Sequence, residues 1–416
     1  MKNDEAGCLA ERARKRRLQW LNRNVVGMSI TSFLSDAGHE MVTAVLPGFL
    51  GTIDLAAGAL GWIEGVSDAA SSFVKLGAGW YSDRIGRRKG MVTFGYFLTG
   101  TALAVFALAV SWPLILIGRV VSWLGRGIRG PLRDALLSDS VNAEDCGKAF
   151  GLHRAGDTAG AVLGPLIGVA VLCALPASDP SGPFRFVFVL SLIPGLAAAA
   201  AFALLVRETP RPGRQGLAFW GALRDLPEGY KRFLGGVGLF GLGDFSHTLL
   251  ILGATQILTP QYGVVGASQW GALLYAWRNL VYAGVSFPIG ALADRMNKRT
   301  LLGLGYAVGA LTPLCFALVV AFDVARIVPL AAIFALAGIY VAAEDALEGA
   351  IPADLVPSEG RGTAYGLMGT VNGAGDLIAS AMVGFLWTAI SPVVSFCSAS
   401  ILMLAGASLV LADRHS

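Results

Sequence analysis

Gly79-Trp80-Tyr81-Ser82-Asp83-Arg84-Ile85-Gly86-Arg87-Arg88 returns in outline 211 residues later as Gly290-Ala291-Leu292-Ala293-Asp294-Arg295-Met296-Asn297-Lys298-Arg299. Each copy is a short cationic stretch set between long apolar runs. Three more matches follow in step. Ser138 to Glu144 pairs with Ala353 to Glu359, and Gly147 to Leu152 with Gly362 to Leu367, both offset by 215. Asp36-Ala37-Gly38-His39 pairs with Asp244-Phe245-Ser246-His247, offset by 208. Matches at such similar spacing mark two copies of one unit.

Composition says what the unit is. The chain has 416 residues, 55% hydrophobic and 14% charged, with mean hydropathy +0.63. A soluble domain carries about 25% charged residues, so this chain cannot clothe itself for water. Its 54 glycines suit close helix packing in lipid. Twelve stretches reach the roughly 20 apolar residues that a membrane helix needs: 25–50, 59–81, 91–110, 113–137, 148–173, 184–206, 234–258, 269–292, 301–322, 327–349, 363–388 and 392–412. The five cysteines (Cys8, Cys146, Cys173, Cys315, Cys397) are scattered singly and indicate neither a disulfide framework nor a thiolate metal site. Gly125-Arg126-Gly127-Ile128-Arg129-Gly130 satisfies G-x-G-x-x-G, but it lies inside an apolar span with no strand before it, so it is no dinucleotide site. No cofactor and no resident metal is expected.

Basic residues fix the expected orientation. They crowd the N-terminus (Arg12 to Arg17), the 82–90 loop, the 207–232 segment and the 293–299 loop, while the loops near 51–58, 174–183 and 260–268 have no Lys or Arg. The positive-inside rule places the crowded side, and both termini, in the cytoplasm. The N-terminal run reads as an anchor beside a membrane helix rather than a nucleic-acid patch. The organisation expected is a basic N-terminus (1–24), a six-helix bundle (25–206), a cytoplasmic linker (207–233) and a second six-helix bundle (234–412). Six helices separate equivalent points, so the repeats are parallel, with a substrate site expected between them near mid-membrane.

At these residues the chain resembles the major facilitator superfamily along essentially its whole length. Gly79, Asp83, Arg84, Gly86, Arg87 and Arg88 are similar to the family's loop 2–3 signature, and Asp294 and Arg295 belong to its echo in loop 8–9. Gly151, Gly160, Gly164, Pro165 and Gly168 resemble the glycine-proline signature of the family's antiporters, with Val169 in place of its final Gly. Arg119 resembles the family's helix 4 arginine, with the glycine that follows it displaced to Gly125. The resemblance implies an all-α fold of twelve transmembrane helices, alternating access, and a latch in which Asp83 ties helix 2 to helix 11.

Ionisable residues inside spans are costly and face a cavity or a partner. Here they define a polar pathway, with Asp36, His39, Glu40, Glu64, Asp68, Arg119, Asp157, Asp244 and His247 as the expected proton-coupling and cavity groups. Asp36, His39 and Glu40 share one helix face, which keeps a metal-ion cargo open. The helix 4 arginines keep an organic anion open. The 215 offset also equates Arg129 and Arg133 with Glu344 and Glu348, each pair spaced i, i+4. Such pairs would close a cytoplasmic gate when the cavity opens outward and separate when it opens inward; the alternative is pairing within each half, for example with Asp139. The reading is a proton-coupled exporter of a small organic molecule, monomeric, in the cytoplasmic membrane. It has no nucleophile–base arrangement of an enzyme. A transporter-like sensor or scaffold is the rival from another class.

Overall fold

The computed structural model describes residues 20–85, 87–142, 145–175, 179–208, 226–293, 295–356 and 361–412, without the side chains at 76, 79–85, 147, 353 and 361–363. These residues form helices throughout. The first half contains α1 (Arg23–Thr52), α2 (Ala57–Ile85), α3 (Lys89–Ala102, extended by a 3-10 stretch Leu103–Leu108), α4 (Trp112–Asp139), α5 (Cys146–Ala174) and α6 (Gly182–Leu205). The second contains α7 (Glu228–Gly241), α8 (His247–Ala293), α9 (Lys298–Ala321), α10 (Ile327–Leu355), α11 (Arg361–Ala389) and α12 (Pro392–Ala412). α8 is two arms that meet at Gly263, whose φ of +68° is a conformation that only glycine adopts freely. Its first arm continues the seventh span and its second arm is the eighth.

The continuous helix expected over 234–258 is interrupted. The chain leaves the helix after Gly241 and resumes at His247. A Cβ at Gly243 would collide with the Ala399 carbonyl of α12. The backbones therefore meet at a point where Gly-Leu-Gly has little helix propensity. Asp244 sits in the break. α7 also begins earlier than hydropathy suggests, because Pro227 precedes it and Glu228 offers negative charge to the first turn.

Seven of the described helices are long and apolar enough to cross a bilayer by composition alone. α1, α2, α4, α7 and α11 are not among them; α7 is short, and the other four carry charged residues to the interior, as α8 and α10 also do. Within the first half, α5 lies flush on α1. Cβ atoms at Gly156 and Gly164 would stand 2.6 Å and 2.5 Å from the carbonyls of Ser29 and Ala37, and one at Gly160 would collide with that of Phe33. The antiporter-like glycines are thus the packing face of α5, joined by Gly156, while Gly151 faces open space.

Between the halves, α2 packs on α11, and α8 packs on α1 and α5. The α2–α11 seam starts beside the loops at 53–56 and 390–391, where Gly58 N–H donates to Thr388 Oγ1 at 2.9 Å. It continues through Gly61 on Ser380 and Gly384 and Gly65 on Leu377, as far as Gly373 on Ser72. The close contact lies away from the end that carries Arg87, Arg88, Arg295 and Lys298. α4 and α10 are not among the pairs that pack closely across the halves.

Candidate functional site: a charged cavity between the halves

A cavity of about 390 Å³ opens between the two halves. α1 contributes His39, Glu40 and Thr43; α2 contributes Glu64 and Asp68; α4 contributes Arg119, Trp123 and Arg126. The far wall is Asp244 and His247 at the α7–α8 break, Arg278 of α8, Tyr340, Glu344 and Asp345 of α10, and Asn372 and Asp376 of α11. Seven of the nine expected cavity groups are therefore brought together. Asp36 and Asp157 stand outside the lining. Asp157 accepts from the Ser32 hydroxyl, with His153 Nδ1 at 3.7 Å.

The first half balances its charges internally. Arg119 and Glu64 are each 1% exposed; Nε and Nη2 reach Glu64 Oε2 at 3.3 and 3.0 Å, and Nη1 donates to Thr43 at 3.1 Å. Arg126 Nη2 donates to Asp36 Oδ1 at 2.7 Å and lies 3.9 Å from Glu40. Asp36 also has Arg129 at 3.8 Å. Expected as a proton carrier, Asp36 is here one anion between two guanidiniums, which is the pairing of helix 1 with helix 4. Neutralising it would strand buried positive charge, which is strongly destabilising. Asp36→Asn should cut the yield of folded protein by about tenfold, and Arg126→Gln on top should restore most of it. Full yield of Asp36→Asn with pH-driven transport lost would return Asp36 to a coupling role. Neither do the three α1 residues converge on one point: Asp36 and Glu40 face Arg126, while His39 sets its ring edge-on to Trp123 at 5.7 Å.

The second half uses tyrosines instead. Tyr340 donates to Asp244 at 3.0 Å, Tyr282 to Asp345 at 2.7 Å and Tyr306 to Glu348. Glu344 stands beside Asp244. At the cavity a side-chain link crosses between the halves: Tyr275 of α8 donates to Glu40 at 2.8 Å. Its oxygen lies 2.9 Å from His247 Nε2, which must then carry a proton, because the phenol has given its only one to the carboxylate. Asn279 adds a second bridge, to the Ala161 carbonyl of α5 at 2.9 Å. Arg126, Arg278 and Asp376 carry charge signals that the sequence displays. The tyrosines have no such signal, since a tyrosine in an apolar run reads as core.

The expected gate is not assembled. Arg129 is buried beneath its own half, 4.2 Å from the Tyr96 ring centroid. Arg133 turns to Asp134 at 2.8 Å, and Asp139 takes Arg88 at 2.9 Å. Glu348 is occupied by Tyr306 and by Asn372 at 2.7 Å, and Glu344 lines the cavity. α4 and α10 stand apart in this arrangement, whose close α2–α11 contact lies at the opposite end; the gate is expected to close only when the cavity opens outward. Of the latch, the side chains of Gly79, Asp83 and Arg84, together with Gly86 and Asp294, lie outside the described residues. Arg87 and Arg295 are exposed, and the N–H groups of Arg88 and Lys89 donate to the Glu208 carboxylate at 2.5 and 3.0 Å.

Two packed helical halves around a charged central cavity agree with the match to the family model described as Major Facilitator Superfamily, over residues 28–265 and 236–415. The chain belongs to the major facilitator superfamily. It is a multi-pass membrane transporter, not an enzyme. Over 394 residues it is 30% identical to the uncharacterized MFS-type transporter MJ1317 of Methanocaldococcus jannaschii, covering 94% of this chain and 95% of that one. It is 25% identical to the multidrug resistance protein MdtH of Photorhabdus laumondii over 261 residues, 59% and 60% of the two chains. The crystal structure of the nucleoside transporter NupG shares the superfamily fold at a TM-score of 0.75 and 12% identity, over 94% of this chain and 99% of that one.

Proposed function

We propose that this superfamily member is a secondary transporter of the cytoplasmic membrane, with both termini inside, that exports a small organic molecule in exchange for protons. The observation that carries the reading is the division of labour around the cavity. In the first half Glu64, Asp36 and Glu40 face guanidiniums. In the second, Asp244, Asp345 and Glu348 are held by neutral hydroxyls, so a proton can join them without stranding a cation. The α5 glycine-proline run and the likeness to a protein named for multidrug resistance support the outward direction. The basic loops, all at one end, support the orientation.

Proteoliposome flux over a compound panel, with and without an imposed pH gradient, tests this reading. Accumulation that needs the gradient is expected. Equal flux after the gradient is collapsed would overturn it. Within that assay, Asp244→Asn and Glu344→Gln should each reduce gradient-driven flux by at least about tenfold at normal folded yield. Unchanged flux in both would place the coupling groups elsewhere.

A further inference from the structure

The charges lining the cavity do not balance. Seven carboxylates face three guanidiniums. Two of the guanidiniums are spent within the first half, on Glu64 and on Asp36. The third, Arg278, lies 5.9 Å from the Tyr275 ring centroid and donates to Asn279. An anionic ligand would find two of its three apparent partners already engaged, with only Arg278 keeping an unpartnered Nε.

Two of the lining carboxylates, Asp68 of α2 and Asp376 of α11, have no hydrogen bond or ion pair among the described residues, and both are half-buried. They belong to different halves. The seam sets them at one level, because antiparallel α2 and α11 meet with Gly65 on Leu377 and Gly373 on Ser72. Asp68 lies between Gly65 and Ser72 of α2, and Asp376 between Gly373 and Leu377 of α11. Lys75, two turns further along α2, is within electrostatic reach of both but makes no ion pair with either among the described residues.

A second observation on the same wall points to missing hydrogen-bond partners. His39 is 2% exposed and Glu64 1% exposed, and both line the cavity. His39 Nδ1 and Glu64 Oε1 have no hydrogen-bond partner among the described residues. The Glu64 carboxylate, ion-paired with Arg119, can only accept. Trp123 Nε1 and Arg278 Nε are the unpartnered donors of the lining, so the body of the ligand must also offer an acceptor. A buried polar group left without a partner is costly, and a desolvated ammonium needs carboxylates around it.

We propose that the transported molecule is a small organic cation bearing a polar body, whose ammonium is held between Asp68 and Asp376 across the two halves. This deepens the transport reading and rests on it. It assigns the substrate class, a cation in place of the organic anion left open by the sequence. The ammonium would sit on the α2–α11 seam, with His39 and Glu64 on the first-half wall beside it.

The test uses the full-length protein in nanodiscs and matched probes that differ in charge. Glucosamine is compared with glucose and glucuronate, and 1,4-diaminobutane with 1,4-butanediol and succinate, each by calorimetric titration. At least one cation should bind at least about tenfold more tightly than its neutral and anionic counterparts. Asp68→Asn and Asp376→Asn should each weaken that cation by at least about tenfold. The double variant should lose clearly less than the product of the two, because both carboxylates hold one ammonium. Asp376→Glu should retain most of the affinity, and thermal melting of each variant confirms that it is folded. The assignment is overturned if no cation binds, if an anion or neutral probe binds as tightly, or if the Asn variants keep wild-type affinity. Cation binding without flux in proteoliposomes would keep the site and remove the transport reading. Gradient-driven flux of an anion without cation binding would do the reverse.

Discussion

Glu64→Leu should abolish most folded expression, and Arg119→Met in the same chain should bring it back. Both side chains are 1% exposed, and the guanidinium gives two of its N–H groups to one carboxylate oxygen and a third to Thr43. Removing one partner leaves a buried charge uncompensated, at a cost of about 3–5 kcal/mol. That is a large part of the roughly 5–15 kcal/mol that holds a typical domain together. Replacing both by apolar groups of similar size removes the stranded charge, which is often neutral. Detergent-extracted yield by fluorescence-detected size exclusion gives the answer. A single variant that expresses as well as the double would mean that the pair is hydrated and contributes little.

The second large effect is expected at the seam. Gly61→Val should leave insertion intact and lower transport by at least about tenfold. A Cβ at Gly61 would collide with the Ser380 carbonyl and stand 3.1 Å from the Gly384 Cα. These are backbone atoms, which cannot swing away as a side chain can. The strain is relieved only if α2 and α11 separate, so the variant should populate the state in which this end is open. Gly77→Val is the control, because Gly77 is exposed with nothing within 4 Å of the added Cβ. It should transport like the parent protein. Wild-type flux in Gly61→Val would show that the seam is not close-packed in any state of the working cycle.

The spans were legible because lipid imposes length and apolarity directly on the sequence. The break around Asp244 was not. Gly241-Leu242-Gly243 is as apolar as its surroundings, and what stops the helix is the approach of α12 at Ala399, a tertiary event. The cavity was legible in its charges: His39, Glu40, Glu64, Asp68, Arg119, Asp244 and His247 all line it, since a charge in lipid has few other places to go. Charges with partners nearby turn to them in this arrangement. Asp36 turns to Arg126, and Arg129 and Glu348 are held inside their own halves. A repeat offset equates positions within two bundles and is silent on which of them touch in a given state. Tyr275, Tyr306 and Tyr340 were hidden because their rings are core and only their hydroxyls are chemical.

Proton-dependent alternation between two arrangements of the halves is the central claim. Spin-label distances between Ser138→Cys at the end of α4 and Gly349→Cys near the end of α10 measure it most directly. Both positions are exposed, and Gly349 has open space around it; the native cysteines are replaced first. The account predicts two distance populations whose ratio shifts between about pH 8 and about pH 5, where desolvated carboxylates change charge. It also predicts that Asp244→Asn with Glu344→Gln freezes that ratio. A single distance, the same at every pH and in both proteins, would contradict it.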